Sequence, residues 1–368
     1  MDSLTLVKTN KKIYNKRIKK SSLQYKDIIL LFLLISHLIL IYLLINLKIS
    51  LHKVISDTSK NSNQQNIKID DIIKQSIKEQ KDFCDSPDKY LITEYENMIK
   101  LTDFSFKGIS YQMYVYSQYD NYMSKEIMTT GKYEPEVMSN FFEVLDYYKR
   151  SKSIFNNKDI YMLDIGGNIG AYPSFLGKIG YSVISFEASP RNYYVLKKNY
   201  CHINKNANNI VIINRAISNE EKICNYYTQL EGIGNGMLLC DEEKENLMVD
   251  GYHWKKKFEV RVMKLSDFIP YISDKNLALV KLDIEGSEGQ AIKNGIELVN
   301  KYHIPYIFSE FSPGMLKKHG TEPKEFLESF TNNGYKISLK GFLNESYISL
   351  DEAITNNRNL YFIYKGKP

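Results

Sequence analysis

The sequence predicts a doubly wound α/β fold, built on a mostly parallel sheet of seven strands and preceded by an N-terminal transmembrane helix. Three observations predict it. Strand-like and helix-like patterns alternate from about residue 159 onward. A glycine-rich turn follows the first strand and leads into a helix. Residues 28–47 form an apolar run without a formal charge.

The run IILLFLLISHLILIYLLINL is 20 residues long, the length a helix needs to cross a hydrocarbon core of about 30 Å. Asn46, Lys48 and Ile49 stand where a cleaved leader would show small residues, so the segment reads as a retained anchor. Residues 1–26 hold Lys8, Lys11, Lys12, Lys16, Arg17, Lys19, Lys20 and Lys26 against Asp2 alone, a balance of +7. Positive flanks stay cytoplasmic. The expectation is a single-pass type II protein, with its catalytic domain in the ER or Golgi lumen if the source is eukaryotic. The whole chain carries +6, so everything after the basic tail is near neutral. A nucleic-acid-binding surface needs a basic face on the folded part, so nucleic acid is not an expected partner.

The expected organisation is a basic tail (1–27), the anchor (28–47), a stem (48–100), an N-terminal extension of the catalytic domain (101–158) and the domain itself (159–368). Within the stem, 56–65 is polar, and Ile69, Ile72, Ile73 and Ile77 recur at helical spacing. That stripe could pair two chains into a homo-oligomer or pack on its own domain. Cys84, Cys201, Cys224 and Cys240 form no C-x-x-C pair, which argues against a zinc site. Cys224 and Cys240 either bridge the loop between them or remain buried thiols. Asn344-Glu345-Ser346 is a glycosylation sequon permissible in a lumen.

The expected strands run 160–164, 181–187, 210–214, 277–283 and 306–311, with 335–339 and 360–364 as the final two. Helical stretches lead up to Gly180, open at Pro190, and cover 287–302 and 323–333. Ligands of such sheets bind beyond the carboxyl ends of the strands. There stands Asp164-Ile165-Gly166-Gly167-Asn168-Ile169-Gly170, with Glu187 ending the second strand about twenty residues on. A carboxylate at that place accepts hydrogen bonds from ribose hydroxyls. A dinucleotide loop would show G-x-G-x-x-G to hold pyrophosphate. Here the spacing differs, and Asp164 precedes the first glycine. A carboxylate there repels pyrophosphate and suits the ammonium and sulfonium charges of S-adenosylmethionine (SAM).

Several stretches resemble, in order, the FkbM family of SAM-dependent methyltransferases. They are Tyr133-Glu134-Pro135-Glu136-Val137, the 164–170 loop, Phe186-Glu187-Ala188-Ser189-Pro190, Asn214-Arg215-Ala216-Ile217-Ser218, the signature Lys281-Leu282-Asp283-Ile284-Glu285-Gly286-Ser287-Glu288, and Glu310. The resemblance covers roughly residues 100–365 and implies the Rossmann-like fold of class I methyltransferases. It implies that Asp164, Gly166, Gly167, Asn168, Gly170, Glu187, Ser218 and Asp283 contact SAM. It also implies O-methylation of a hydroxylated acceptor, a glycan or small molecule.

A hydroxyl is a poor nucleophile unless a base takes its proton. Asp283, Glu285 and Glu310 are the candidates, with Asp283 preferred because it ends a central strand. Paired acids could also hold a divalent metal, which the sequence leaves undecided. Residues 229–258, with Gly232, Gly234, Gly236 and Trp254, read as an acceptor-contacting loop or a structural hairpin. Three rival readings stand beside this one: a type II glycosyltransferase using Asp283 and Glu285 as a metal motif, a non-catalytic SAM-binding protein, and a dehydrogenase, which the loop spacing disfavours.

Overall fold

The computed structural model describes residues 69–204, 209–230, 232–249 and 251–366. The expected anchor, the basic tail and the first part of the stem lie outside the described residues. Among the described residues no helix is long and apolar enough to cross a membrane.

Among the described residues eight strands form one sheet: β1 (Ile160–Ile165), β2 (Ser182–Phe186), β3 (Ile210–Ile213), β4 (Asn276–Leu282), β5 (Tyr306–Phe311), β6 (Tyr335–Ser338), β7 (Tyr347–Ile348) and β8 (Arg358–Tyr364). Their spatial order is β7-β6-β8-β5-β4-β1-β2-β3. From β3 to β5 every pairing is parallel, while β8 runs antiparallel to both β5 and β6. The seven expected strands are all present, and the sheet exceeds the expected count by the two-residue edge strand β7.

Side chains of a strand point alternately to opposite faces, and both faces here are apolar. Met162, Val183, Leu279 and Phe308 enter one core. Their neighbours Leu163, Ile184, Val280 and Ile307 enter the other. Helices α2 (Pro135–Ser151), α3 (Ala171–Lys178) and α4 (Pro190–Asn204) cover the first face with Phe141, Phe175 and Val195. Helices α5 (Glu288–Tyr302) and α6 (Pro323–Thr331) cover the second with Ile292, Leu298 and Phe326. Burial on both faces is why these strands read as nearly unbroken apolar runs.

From residue 69 onward the stretch expected as stem is folded. Residues 69–85, helix α1, bury Ile69 and Ile73, whereas Ile77 is exposed. The helix lies along the free edge of the sheet. Gln80 donates to the Ile210 carbonyl (3.0 Å) and accepts from the Ile212 amide (3.2 Å), satisfying backbone groups that an edge strand leaves open. A disulfide from Cys84 to Cys201 joins α1 to α4.

Between β3 and β4 the chain builds a second sheet from Ala216–Ser218, Ile223–Gln229, Gly236–Leu239, Asn246–Val249 and Tyr252–Lys264. The hairpin alternative for 229–258 therefore describes its backbone, and Trp254 is buried with Tyr227, Met237 and Val249. Cys224, in the strand Ile223–Gln229, is bonded to Cys240, just past the end of the paired strand Gly236–Leu239.

Register places charge in the interior of the main sheet. Lys281 on β4 is paired with Asp164 on β1, and Asp164 with Ser185 on β2. All three point to the face of Met162 and Leu279. Lys281 is 2 % and Asp164 0 % exposed, so neither charge is relieved by water.

Two outcomes follow for stability. Gln80→Ala leaves two edge groups of β3 unpaired and is expected to cost about 1–3 kcal/mol, read by urea unfolding. Lys281→Met strands the Asp164 carboxylate and is expected to cost about 3–5 kcal/mol. Adding Asp164→Asn to that variant should recover part of the loss in a double-mutant cycle; a single-variant loss within experimental error would remove Lys281 from this role.

Candidate active site

The carboxyl ends of β1, β2 and β4 converge on an open cleft of about 600 Å³. Its floor is the glycine turn. Gly166 has φ +95°, and a Cβ there would strike the carbonyl oxygen of Asp283. Any side chain would therefore push β1 and β4 apart. Lys281 closes the same junction from below. Its ammonium donates to the Gly166 carbonyl (2.9 Å) and lies 3.1 Å from Asp283 and 3.4 Å from Asp164. Burial pulls its pKa down, but the Asp283 and Asp164 carboxylates outweigh burial and hold it above the ordinary lysine value.

At the tip of β2, Glu187 accepts from the amides of Asn168 (2.7 Å) and Ser189 (2.8 Å). Each oxygen is thereby fixed while keeping a lone pair for a ligand. Burial raises its pKa to about 7 against the pull of those two amides. Asn168 adopts the left-handed region at φ 48°, which asparagine tolerates better than most residues.

The roof comes from elsewhere in the chain. Tyr116 donates to Asn192 Oδ1 (2.7 Å), and Asn192 Nδ2 donates to the Gly234 carbonyl (2.8 Å). Gly234, Asn235, Gly236, Tyr226 and Leu238 of the second sheet line the cleft opposite Gly166 and Glu187. Arg215, Ala216 and Ile217 close the end beyond β3.

The turn after β4 concentrates acids. Glu288, the first residue of α5, accepts from the Ile284 amide (2.7 Å) and staples the turn; burial raises its pKa to about 7. Glu285 sits at φ 54°, strained for a residue with a side chain, and faces the cleft beside Asp283. Burial, then the carboxylates of Asp283 and Glu288, raise its pKa to about 8. Glu310 at the end of β5 hydrogen-bonds Asp283, and burial followed by repulsion from Asp283 keeps its proton bound well above the usual range. On the other side of Lys281, Tyr172 donates to Glu134, and the ammonium lies 5.5 Å from the Tyr172 ring centre.

Of the residues singled out in the sequence, Gly166, Asn168, Glu187, Asp283 and Glu285 line one cleft. Asp164 does not. It lies beneath the turn, accepts from Ser185 (2.8 Å), and faces Lys281 rather than a ligand. Gly167 and Gly170 are packing positions, where a Cβ would meet Ser185 and Leu196. Ser218 is also outside the lining, because its strand turns away to pair with Lys264. Glu310 stands behind Asp283. Within 229–258 only Gly234–Gly236 and Leu238 reach the cleft. Asn192, Tyr226 and Asn235 were not singled out, since nothing in their spacing marks them. Lys281 had a signal in its place two residues before Asp283, on the same face of one strand.

The lining carries Glu187, Asp283 and Glu285 against Arg215 alone. Such a surface repels pyrophosphate and fits a ligand with a cationic centre and a ribose diol, as SAM has. Among the described residues no group of three or more His, Cys, Asp or Glu side chains is placed to hold a metal ion.

Residues 164–337 match the model of the methyltransferase FkbM domain. No curated protein matches the chain. Among solved structures it is similar to WbdD, at 11 % identity and a TM-score of 0.38, over 67 % of this chain and 39 % of that one. It thus spans about two-fifths of WbdD. It is also similar to magnesium protoporphyrin IX methyltransferase (ChlM) from Synechocystis PCC 6803 with bound SAM, at 10 % identity and a TM-score of 0.33, over 67 % of this chain and 85 % of that one. A third is a putative SAM-dependent methyltransferase from Streptococcus mutans, at 11 % identity and a TM-score of 0.34, over 72 % and 55 % of the two chains. These likenesses are remote, and the assignment rests on the family match. Residues 164–337, just under half of the chain, are thus similar to the methyltransferase FkbM domain.

Proposed function

We propose that the protein is a membrane-anchored O-methyltransferase that modifies a hydroxyl of a glycan or other hydroxylated molecule, with its catalytic domain on the lumenal side. The observation that carries the hydroxyl acceptor is the carboxylate of Asp283. It lies at the cleft surface 3.1 Å from the Lys281 ammonium and is hydrogen-bonded by the protonated Glu310.

When bound, SAM supplies an electrophilic methyl group on a sulfonium. The protein's task is to align the acceptor oxygen and to take its proton. In this reading Asp283 receives that proton. Lys281 and Glu310 hold the Asp283 carboxyl in place from two sides, so its rotamer is fixed before an acceptor arrives. Glu187 and Asn168 hold the ribose side of the cofactor, and the glycine turn lets its backbone approach closely.

The anchor is argued from residues 28–47 and the basic tail before them. The four cysteines all lie beyond that run and pair as Cys84–Cys201 and Cys224–Cys240, which favours an oxidising compartment. The Asn344 sequon is exposed, and its side chain accepts from the Ser346 amide (3.0 Å). A glycan there would meet no packed neighbour.

The decisive experiment incubates the full-length protein with methyl-labelled SAM and membrane glycan extracts, with nucleotide sugars in a parallel arm. Label transferred from SAM to a glycan fraction is the expected result, and transfer from the sugar nucleotide alone would favour a glycosyltransferase. Asp283→Asn should lower turnover by at least about 100-fold while SAM still binds; unchanged turnover removes Asp283 as the base. For the topology, expression in a eukaryotic secretory system should add one glycosidase-sensitive glycan that Asn344→Gln abolishes. Absence of that glycan together with protease accessibility from the cytosol would sink the lumenal assignment.

A further inference from the structure

The three carboxylates of the cleft differ in what already holds them. Glu187 accepts two backbone amides. Asp283 is paired with Lys281. Glu285 has no hydrogen bond or ion pair among the described residues, although it lines the cleft and is partly buried. Its direction is enforced, because Glu288 staples the turn through the Ile284 amide and Gly286 follows at φ +96°. A left-handed position would be less strained with glycine or asparagine. A glutamate kept there, aimed into a ligand cleft without a partner of its own, points to a cationic ligand.

The groups around it come from every neighbouring element. Asp283 and Lys281 stand on β4, Glu288 on α5, Glu310 on β5 and Tyr226 on the second sheet. Behind the turn, His319 is 3.3 Å from Ser287 and is neutral, because burial lowers its pKa to about 4. Lys281 is the one cation among these, and it is committed to Asp164, Asp283 and the Gly166 carbonyl. Glu285 is thus surrounded mainly by acids.

We propose that Glu285 reads the charge of the cofactor. It is protonated in the free protein and ionises as the sulfonium of SAM enters, releasing one proton to solvent. It is protonated again once the sulfonium has become the neutral thioether of S-adenosylhomocysteine, which is then held less tightly. The balance closes over a turnover. Methylation of a hydroxyl liberates one proton, taken first by Asp283, and this replaces the proton that Glu285 lost at cofactor entry. The return step rests on the hydroxyl-methylating reading above, whereas the entry step needs only the cofactor.

The sign is fixed by Glu285 having its pKa raised to about 8 in the free protein, by burial and then by Asp283 and Glu288. Below that pH the carboxyl must lose its proton for SAM to bind. The preference for SAM over S-adenosylhomocysteine should therefore rise up to about tenfold between pH 6 and pH 7, since Glu187 meets the ribose that both share. Both pH values lie below the range of a free α-amino group.

The test is isothermal titration calorimetry of the full-length protein in mild detergent, with SAM and S-adenosylhomocysteine separately, in buffers of contrasting ionisation heat. Near pH 7 the wild type should release close to one proton more per SAM than per S-adenosylhomocysteine. Glu285→Gln should abolish that difference and narrow the preference for SAM about tenfold, with S-adenosylhomocysteine affinity kept, which also reports an intact fold. Equal proton release with the two ligands, or a difference that persists in the Gln variant, overturns the proposal and leaves the cofactor assignment standing. Failure of SAM to bind at all overturns both.

Discussion

A single buried ammonium organises the catalytic end of the sheet. Lys281 stands opposite Asp164 in the parallel register of β1 and β4, and its remaining donors reach the Gly166 carbonyl and Asp283. A lysine in a protein interior is costly unless it is paired and hydrogen-bonded; here its contacts join the two strands that carry the glycine turn and the acidic turn. The absence of a Cβ on Gly166 lets these turns touch. Removing the charge therefore affects both halves of the cleft floor at once, not only one side chain.

That arrangement explains what the sequence could and could not reveal. The alternation of apolar runs and helical stretches reads directly as a doubly wound sheet, because both faces of each central strand are buried. That Glu187, Asp283 and Glu285 line one cleft was legible because they end strands or begin the turns beyond them. Asp164 sits in the same sort of place, yet its charge is spent internally. Its partner is 117 residues away in sequence, and only the register of two parallel strands brings them together. Ser218 falls outside the cleft lining for a related reason: the chain leaves the main sheet after Ile213, so the segment after β3 starts a different sheet. The longest inserted strand, Tyr252–Lys264, alternates exposed and less exposed residues from His253 to Val262, but Lys256 stands at one of the inward positions and breaks the apolar alternation in the sequence.

The protonation states of the site also follow from crowding. Asp164 and Glu288 are buried, and Asp283, Glu285 and Glu310 are half-buried around the same turn. Like charges at short range cannot all ionise in a poorly solvated site. Proton sharing between Asp283 and Glu310 is one way to relieve the repulsion. A cationic ligand is another, and it relieves most where a carboxylate has no partner of its own.

Floor and roof of the cleft come from different parts of the chain. The floor lies within residues 164–337, the segment that matches the FkbM model. Part of the roof is fastened from outside it, through Tyr116 in the strand Ile109–Tyr116, by way of Asn192 to Gly234. Glu134, which Tyr172 holds near Lys281, also lies upstream of the match. The Cys224–Cys240 bond keeps the two roof strands in register as a unit. The acidic residues of the cleft are thereby gathered on its floor, the place where strand ends and helix starts meet. The upstream segment reaches that floor as well, because Glu134 is among the carboxylates that act on the Lys281 ammonium.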